Sequence, residues 1–188
     1  MKNEINKHLE VLHKSVDIMS VKIPKIAKKI ESTISKGNKI ILCGNGGSAS
    51  DSIHFSAELA GKFRIKKRRP LPCISISENI STISAIGNDF SFDEVFSRQV
   101  EAIGKKNDLL IGITTSGKSK NIIKAFEKAT KIGINKICFC GSNINEIKNK
   151  SDIYLNIQSD DTARVQELHI LSIHIICDII DKAFSKKK

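Results

Sequence analysis

Twice in this chain a short apolar run empties into a turn of glycine and hydroxyl residues and then into a stretch with helical spacing. The first case is KIILCGNGGSASDSIHFSAELAG, residues 39–61; the second is DLLIGITTSGKSK, residues 108–120, with a helix continuing through Ala125 to Ile132. Short apolar runs bounded by turn formers read as buried strands. A strand that feeds a helix reaches its parallel neighbour by a crossover, so the pattern selects an α/β fold with helices on both faces of a sheet. Further strands are expected at Cys73–Ile76, Ile137–Cys140 and Ile153–Leu155, with a final buried helix from about Thr162 to Phe184. Ile80, Ile83 and Ile86 space a short helix begun near Ser77, closing on a polar turn, Gly87-Asn88-Asp89-Phe90, before another helix over 92–103. The fold class is therefore α/β: one doubly wound, mostly parallel sheet flanked by helices and preceded by an N-terminal helical extension. That extension takes in residues 1–36, and the α/β core residues 37–188.

The two turns carry chemistry. Gly44-Asn45-Gly46-Gly47 lets the backbone bring its N–H groups close to a ligand, and Ser48, Ser50 and Asp51 offer N-cap groups to the helix that follows. Free N–H groups and the helix dipole at such a junction favour an anion. Neither common nucleotide loop is present, because the Gly-Lys-Ser/Thr ending and the third glycine of G-x-G-x-x-G are both missing. Thr114, Thr115, Ser116 and Ser119 supply hydroxyl donors in the second turn. Both turns follow strands, where open α/β sheets bind ligands, and their convergence points to a phosphate. His54 and Glu58 stand four residues apart on one helix face, a spacing that suits one edge of a metal site or a general base beside a bound phosphate.

Residues from about Asn3 to Ser35 have Ile5, Leu9, Leu12, Val16 and Met19 at spacings of three and four, with Pro24 expected to break or kink the helix and Gly37-Asn38 to end it. An amphipathic segment outside the core suggests packing against a sister subunit. The net charge of +11 raises the question of nucleic acid, but one tyrosine and no tryptophan leave little for base stacking. The excess gathers in the Lys66–Arg69 loop before Pro70 and in the Lys186–Lys188 tail, the latter read as solvated, so nucleic acid is not the expected partner. No apolar run approaches a membrane span and the N-terminus lacks a signal-peptide core, which places the expected location in the cytoplasm. Five cysteines without a C-x-x-C pair fit reduced, packed thiols.

The segments CGNGGSASDSIHFSAEL, AIGNDFSFDEVFSRQVEAIG, ITTSGKSKNIIKA and TARVQELHILSIH resemble the sugar isomerase (SIS) domain, and within it the phosphoheptose isomerase family. That resemblance implies interconversion of sedoheptulose 7-phosphate and D-glycero-D-manno-heptose 7-phosphate, the first step toward ADP-heptose for surface polysaccharide. It further implies a homotetramer with sites at subunit contacts. One zinc ion is implied per subunit, at His54, Glu58, Gln166 and His174, with Glu58 and His174 as the acid–base pair. Substrate contacts are implied for Asn45, Gly46, Gly47, Ser48, Asn88, Asp89, Thr114, Thr115, Ser116, Ser119 and Gln166. Helical periodicity sits uneasily with one of these. Gln166 and His174 diverge by roughly 80° on an ideal helix, and Glu167 aligns better. Thr114 stands where a serine is common, Lys62 where an arginine is often found, and the basic insert around Lys66 lengthens a loop. Glu167 is alternatively a supporting group or a partner for Arg164, while His8, His13 and His169 read as ordinary structural histidines. A binding protein of the same superfamily that associates with the bacterial replication initiator has a very similar glycine loop and similar histidine and glutamine segments. It is the alternative, against which the Gly87–Phe90 turn leans toward the enzyme.

Overall fold

The structure is a computed structural model and describes residues 1–185; the lysine tail at 186–188 lies outside the described residues. Five strands, β1 (Ile40–Gly44), β2 (Cys73–Ser75), β3 (Leu109–Thr114), β4 (Asn135–Cys140) and β5 (Ile153–Asn156), pair in the order β2-β1-β3-β4-β5, all parallel. Six helices surround them: α1 (Lys2–Ser35), α2 (Gly47–Ala60), α3 (Ile80–Asp89), α4 (Ser97–Ile103), α5 (Lys120–Ile132) and α6 (Thr162–Ser185). Alternate residues of each strand point to opposite faces. Ile40, Leu42, Leu109, Ile111, Ile113, Ile137, Phe139 and Leu155 therefore join α1, α2 and α6 in one apolar layer. Ile41, Cys43, Leu110, Cys138 and Cys140 join α4 and α5 in the other. Burial pushes the Cys138 thiol well above its ordinary range, as expected of a packed, unreactive cysteine. Among the described residues no helix is long and apolar enough to cross a membrane.

Several local expectations change in three dimensions. Pro24 does not break α1, which runs unbroken through it. Pro24 and Ser20, whose carbonyl loses its helical donor, are both exposed, so that carbonyl is not sealed in the core. Met19, Ile23, Ile26, Ala27, Ile30 and Ile34 hold the opposite face in the core. Residues 1–36 thus hold the N-terminal helix expected, and from Met19 onward one face of it packs into the core. The Gly37 and Asn38 N–H groups bond back to the Ile34 and Thr33 carbonyls, ending α1 where expected. α3 starts three residues later than the isoleucine spacing suggests, because Asn79 accepts the Thr82 N–H at 3.0 Å and caps it. It then runs on through Asp89, so Asn88 and Asp89 occupy its last turn and not a separate turn after it. The helix expected over 92–103 divides into a 3₁₀ turn at Phe92–Glu94 and α4. No side chain caps α2; neither Ser50 nor Asp51 serves that role, and the N-cap position is Gly46.

His169 is fully buried in α6, and its Nε2–H donates to the Cys140 carbonyl at 3.2 Å while Nδ1 has no partner. Burial disfavours the imidazolium and lowers its pKa to about 4, only partly opposed by the Cys140 carbonyl. The unfolded chain therefore binds more protons between pH 6.5 and about 4. The stability linked to neutral His169 is whole above pH 6.5 and is lost as pH falls through that window. His169→Gln retains an N–H donor but cannot titrate. Urea unfolding between pH 7 and 4.5 should show a shallower acid loss in that variant, by up to about 1.4 kcal/mol per pH unit. Parallel curves for the two proteins would refute the assignment.

Candidate active site

β1 and β3 are hydrogen-bonded neighbours, Gly44 standing opposite Ile113, so the turns that leave them open side by side. Gly46 adopts φ +54°, a left-handed conformation that glycine takes without strain, and this turns the chain straight from β1 into α2. The Gly46 and Gly47 N–H groups have no acceptor among the described residues; the same holds for Ser116, Gly117, Ser119 and Lys120 in the second turn. A reciprocal amide pair ties the turns together: Asn45 Nδ2 donates to Asn121 Oδ1 at 2.9 Å, and Asn121 Nδ2 donates to Asn45 Oδ1 at 2.9 Å. Each amide keeps one N–H and one lone pair for other partners, although Asn121 spends its remaining lone pair on the Ile122 N–H. Ser48 is buried beneath the first turn, whereas Ser116 is exposed and Ser119 half-buried at the mouth of the second. Thr114 is also buried, its hydroxyl 2.8 Å from that of Ser119, so it braces the turn from below. Thr115 lies half-buried between them. Asn88 and Asp89 are exposed at the end of α3, where Asn88 Nδ2 donates to Asp89 Oδ1, and no hydrogen bond joins either to the two turns.

The second part of the site lies between α2 and α6. His54 Nε2 stands 3.2 Å from Glu58 Oε1 and 3.4 Å from His174 Nε2. Phe63 stacks on the His174 ring at 5.6 Å between centroids and limits its rotation. Gln166 faces the glycine turn so closely that a Cβ on Gly47 would lie 2.5 Å from its Nε2. Glu167, which ideal periodicity favours, turns the other way: its carboxylate binds His8 Nδ1 at 2.7 Å and Arg164 at 2.7 Å. Its role as a partner for Arg164 is thus observed. His8 is not a bystander, since this contact pins the start of α1 to α6. Nitrogen and carboxylate oxygens suit zinc, and separations of 3.2 and 3.4 Å are near the roughly 3.3 Å edge of a tetrahedron with ligand bonds of about 2.0–2.1 Å. Even so, among the described residues no group of three or more His, Cys, Asp or Glu side chains is arranged to hold a metal ion. His54 belongs to two edges that do not close into a full set. Beside it on α2, Asp51 has one carboxylate oxygen buried without a partner, and burial raises its pKa to about 6 against the lowering effect of His54.

Residue types alone did not single out Asn121, Ser77, Phe63 or Arg68. Ser77 both accepts the Gly44 N–H and donates to its carbonyl, fixing the end of β1. The Lys66–Arg69 stretch, read as a loop before Pro70, turns one of its cations inward: Arg68 is buried, with its guanidinium on Asp181 of α6. The available signal was Asp181, one of two carboxylates in the apolar second half of α6: Asp178 pairs with Lys182 on the surface, whereas Asp181 is buried and needs a buried cation. Asn121→Leu keeps the branched shape but removes the amide pair and leaves both the N–H and the carbonyl of the Asn45 amide without their partner, at about 1–3 kcal/mol. Binding of inorganic phosphate, followed by calorimetry, should weaken at least ~10-fold if the pair aligns both turns on one anion. Wild-type phosphate affinity in this variant would show that the turns are set independently.

Comparison with known proteins agrees with this geometry. Residues 5–141 match the SIS domain family. A phosphoheptose isomerase of Helicobacter pylori (strain Shi470) is 46% identical over 187 residues, covering 100% of this chain and 97% of the relative. Among solved structures, a phosphoheptose isomerase from Neisseria gonorrhoeae superposes with a TM-score of 0.88 at 35% identity, and one from Francisella tularensis with 0.89 at 33%; each alignment covers 96% of both chains. With its full-length likeness to these relatives and its parallel sheet carrying two amide-linked turns, the chain belongs to the SIS domain family and, within it, to the phosphoheptose isomerases.

Proposed function

We propose that this protein interconverts sedoheptulose 7-phosphate and D-glycero-D-manno-heptose 7-phosphate, as the first step toward ADP-heptose for surface polysaccharide in the cytoplasm. The observation that carries the reading is the meeting of His54, Glu58 and His174 on α2 and α6, the two helices that also bring the glycine turn and Gln166 together, in a chain whose end-to-end relatives are isomerases. The same relatives favour an enzyme over a binding protein for the replication initiator. Phosphate takes the free N–H groups of the two turns, with the Ser48, Thr115, Ser116 and Ser119 hydroxyls beside it and Thr114 bracing from below. Asn45 retains one N–H and one lone pair for a sugar hydroxyl, and Gln166 closes the site above Gly47.

Isomerisation removes a proton from the carbon beside the carbonyl, passes through an enediol(ate), and returns a proton to the neighbouring carbon. Glu58 takes the carbon-bound proton and His174 exchanges protons with the sugar oxygens. Zinc at His54, Glu58, Gln166 and His174 would supply the positive charge that stabilises the oxyanion. A carboxylate engaged by a cation is a poorer base, because the cation favours its ionised form. Were Glu58 among the groups holding such an ion, it would act as the base only when not engaged by it. Glu58→Gln keeps size and a donor oxygen but removes the base. Isomerisation should fall at least ~10²-fold, with loss of deuterium exchange from solvent into the carbon beside the carbonyl. Exchange at the wild-type rate in Glu58→Gln would assign the base elsewhere.

The same reading includes a homotetramer. Its support is an apolar groove between α1 and α6, lined by Leu12, Val16, Met19, Ile23, Ile175 and Ile179, on a subunit that also exposes Ile5, Leu9 and Val21. Contiguous exposed apolar surface of this kind marks an interaction face. Val16→Glu with Ile175→Glu should reduce the tetramer to smaller species by light scattering without loss of secondary structure. A full-length wild-type protein that scatters as a monomer would end this part of the reading.

A further inference from the structure

Arg68 has five N–H donors, and each meets an acceptor. Nε donates to Asp181 Oδ1 at 2.5 Å; Nη1 to the carbonyls of Leu59 at 2.9 Å and Arg69 at 2.6 Å; Nη2 to the carbonyls of Glu58 at 2.7 Å and Gly61 at 3.2 Å. The other oxygen of Asp181 accepts the N–H groups of Arg64 at 2.7 Å and Ile65 at 2.8 Å. Three of the carbonyls belong to the end of α2, where helical acceptors lack donors and a cation also complements the helix dipole. Asp181 follows His174 by two turns of α6 and lies within roughly 20° of it around the helix axis. Phe63, adjoining the Arg64–Ile65 amides held by Asp181, is the ring that stacks on His174.

We propose that Arg68 is a positioning residue for the candidate active site. It locks the end of α2, which carries His54 and Glu58, to α6, which carries His174, and so sets how those three side chains meet. The inference rests on the isomerase reading only for its kinetic readout. A buried ion pair can also serve stability alone, and the two roles separate on a conservative variant. Lysine preserves the charge and reaches Asp181, but as a single ammonium it cannot fork to the Glu58, Leu59 and Gly61 carbonyls together.

The test compares Arg68→Lys and Asp181→Asn with the wild type, well below their unfolding temperatures. The expected result is a folded protein whose kcat on the sugar phosphate falls at least ~10-fold while KM stays within about twofold, since the phosphate turns are untouched. Imidazole NMR signals of His54 and His174 should shift, with that of His13 unmoved. The imidazole signals decide the matter even for a wild type that does not isomerise heptose phosphate, so a wrong functional reading and a wrong clamp give different results. Wild-type kcat and unmoved His54 and His174 signals in either folded variant would overturn the proposal. Failure of both variants to fold would do so as well, because the pair would then serve the fold and not the site.

Discussion

β1 and β3 pair in parallel at the middle of the sheet, but the chain leaves β1 toward one edge and β3 toward the other. α2 therefore descends on the face it shares with α1 and α6, and α5 on the face it shares with α4. The two helix N-termini diverge from a common mouth, and their first N–H groups cannot be satisfied by each other. That divergence opens the crevice. The Asn45–Asn121 amide pair keeps it from widening, by bridging the two sides with neutral groups that do not repel an incoming anion.

Below the crevice the two apolar layers are unequal in what they tolerate. The α4–α5 side adds buried Ser97 and Asn121 to its hydrocarbon and thiol core, and no buried charge on either helix. The α2–α6 side holds the imidazoles, the buried Arg68–Asp181 pair and the partnerless oxygen of Asp51. Polar groups at such depth survive when their donors and acceptors are filled, and removing one partner of a buried ion pair costs about 3–5 kcal/mol. The reactive side of the molecule is thus also where packing errors are most costly. At Gly47 a side chain would meet the Gln166 amide, which would have to turn aside.

The sheet, its five strands and the positions of the two glycine–hydroxyl turns were legible because strand period and turn chemistry are local properties of the chain. α6 was placed within a residue for the same reason. Pro24 misled, since a proline signals a break only where the freed carbonyl cannot reach water. The boundary of α3 was blurred because Asn79 caps it from a position that isoleucine spacing does not mark. Gln166 came from family likeness alone. Ideal periodicity chose Glu167, whose partners His8 and Arg164 lie on the opposite side of the helix from Gly47. Arg68 was hidden for a different reason: in a run of four basic residues nothing local says which one turns inward, and the answer lies at Asp181, more than a hundred residues away.

The proline in α1 has a bearing on motion. From Met19 onward one face of the helix is embedded in the core, whereas the first turns hold to α6 mainly through the Glu4 carbonyl with Arg164 and through His8 with Glu167, both partly in water. Solvent-accessible polar contacts of this kind contribute about 0–1.5 kcal/mol each. Between the two halves the hydrogen-bond ladder lacks the rung that Pro24 cannot donate. An isolated subunit should therefore open in stages, with amide protons ahead of Ser20 exchanging through local fraying and those beyond Ile26 only through global unfolding. A helix continuous in geometry is two units in cooperativity.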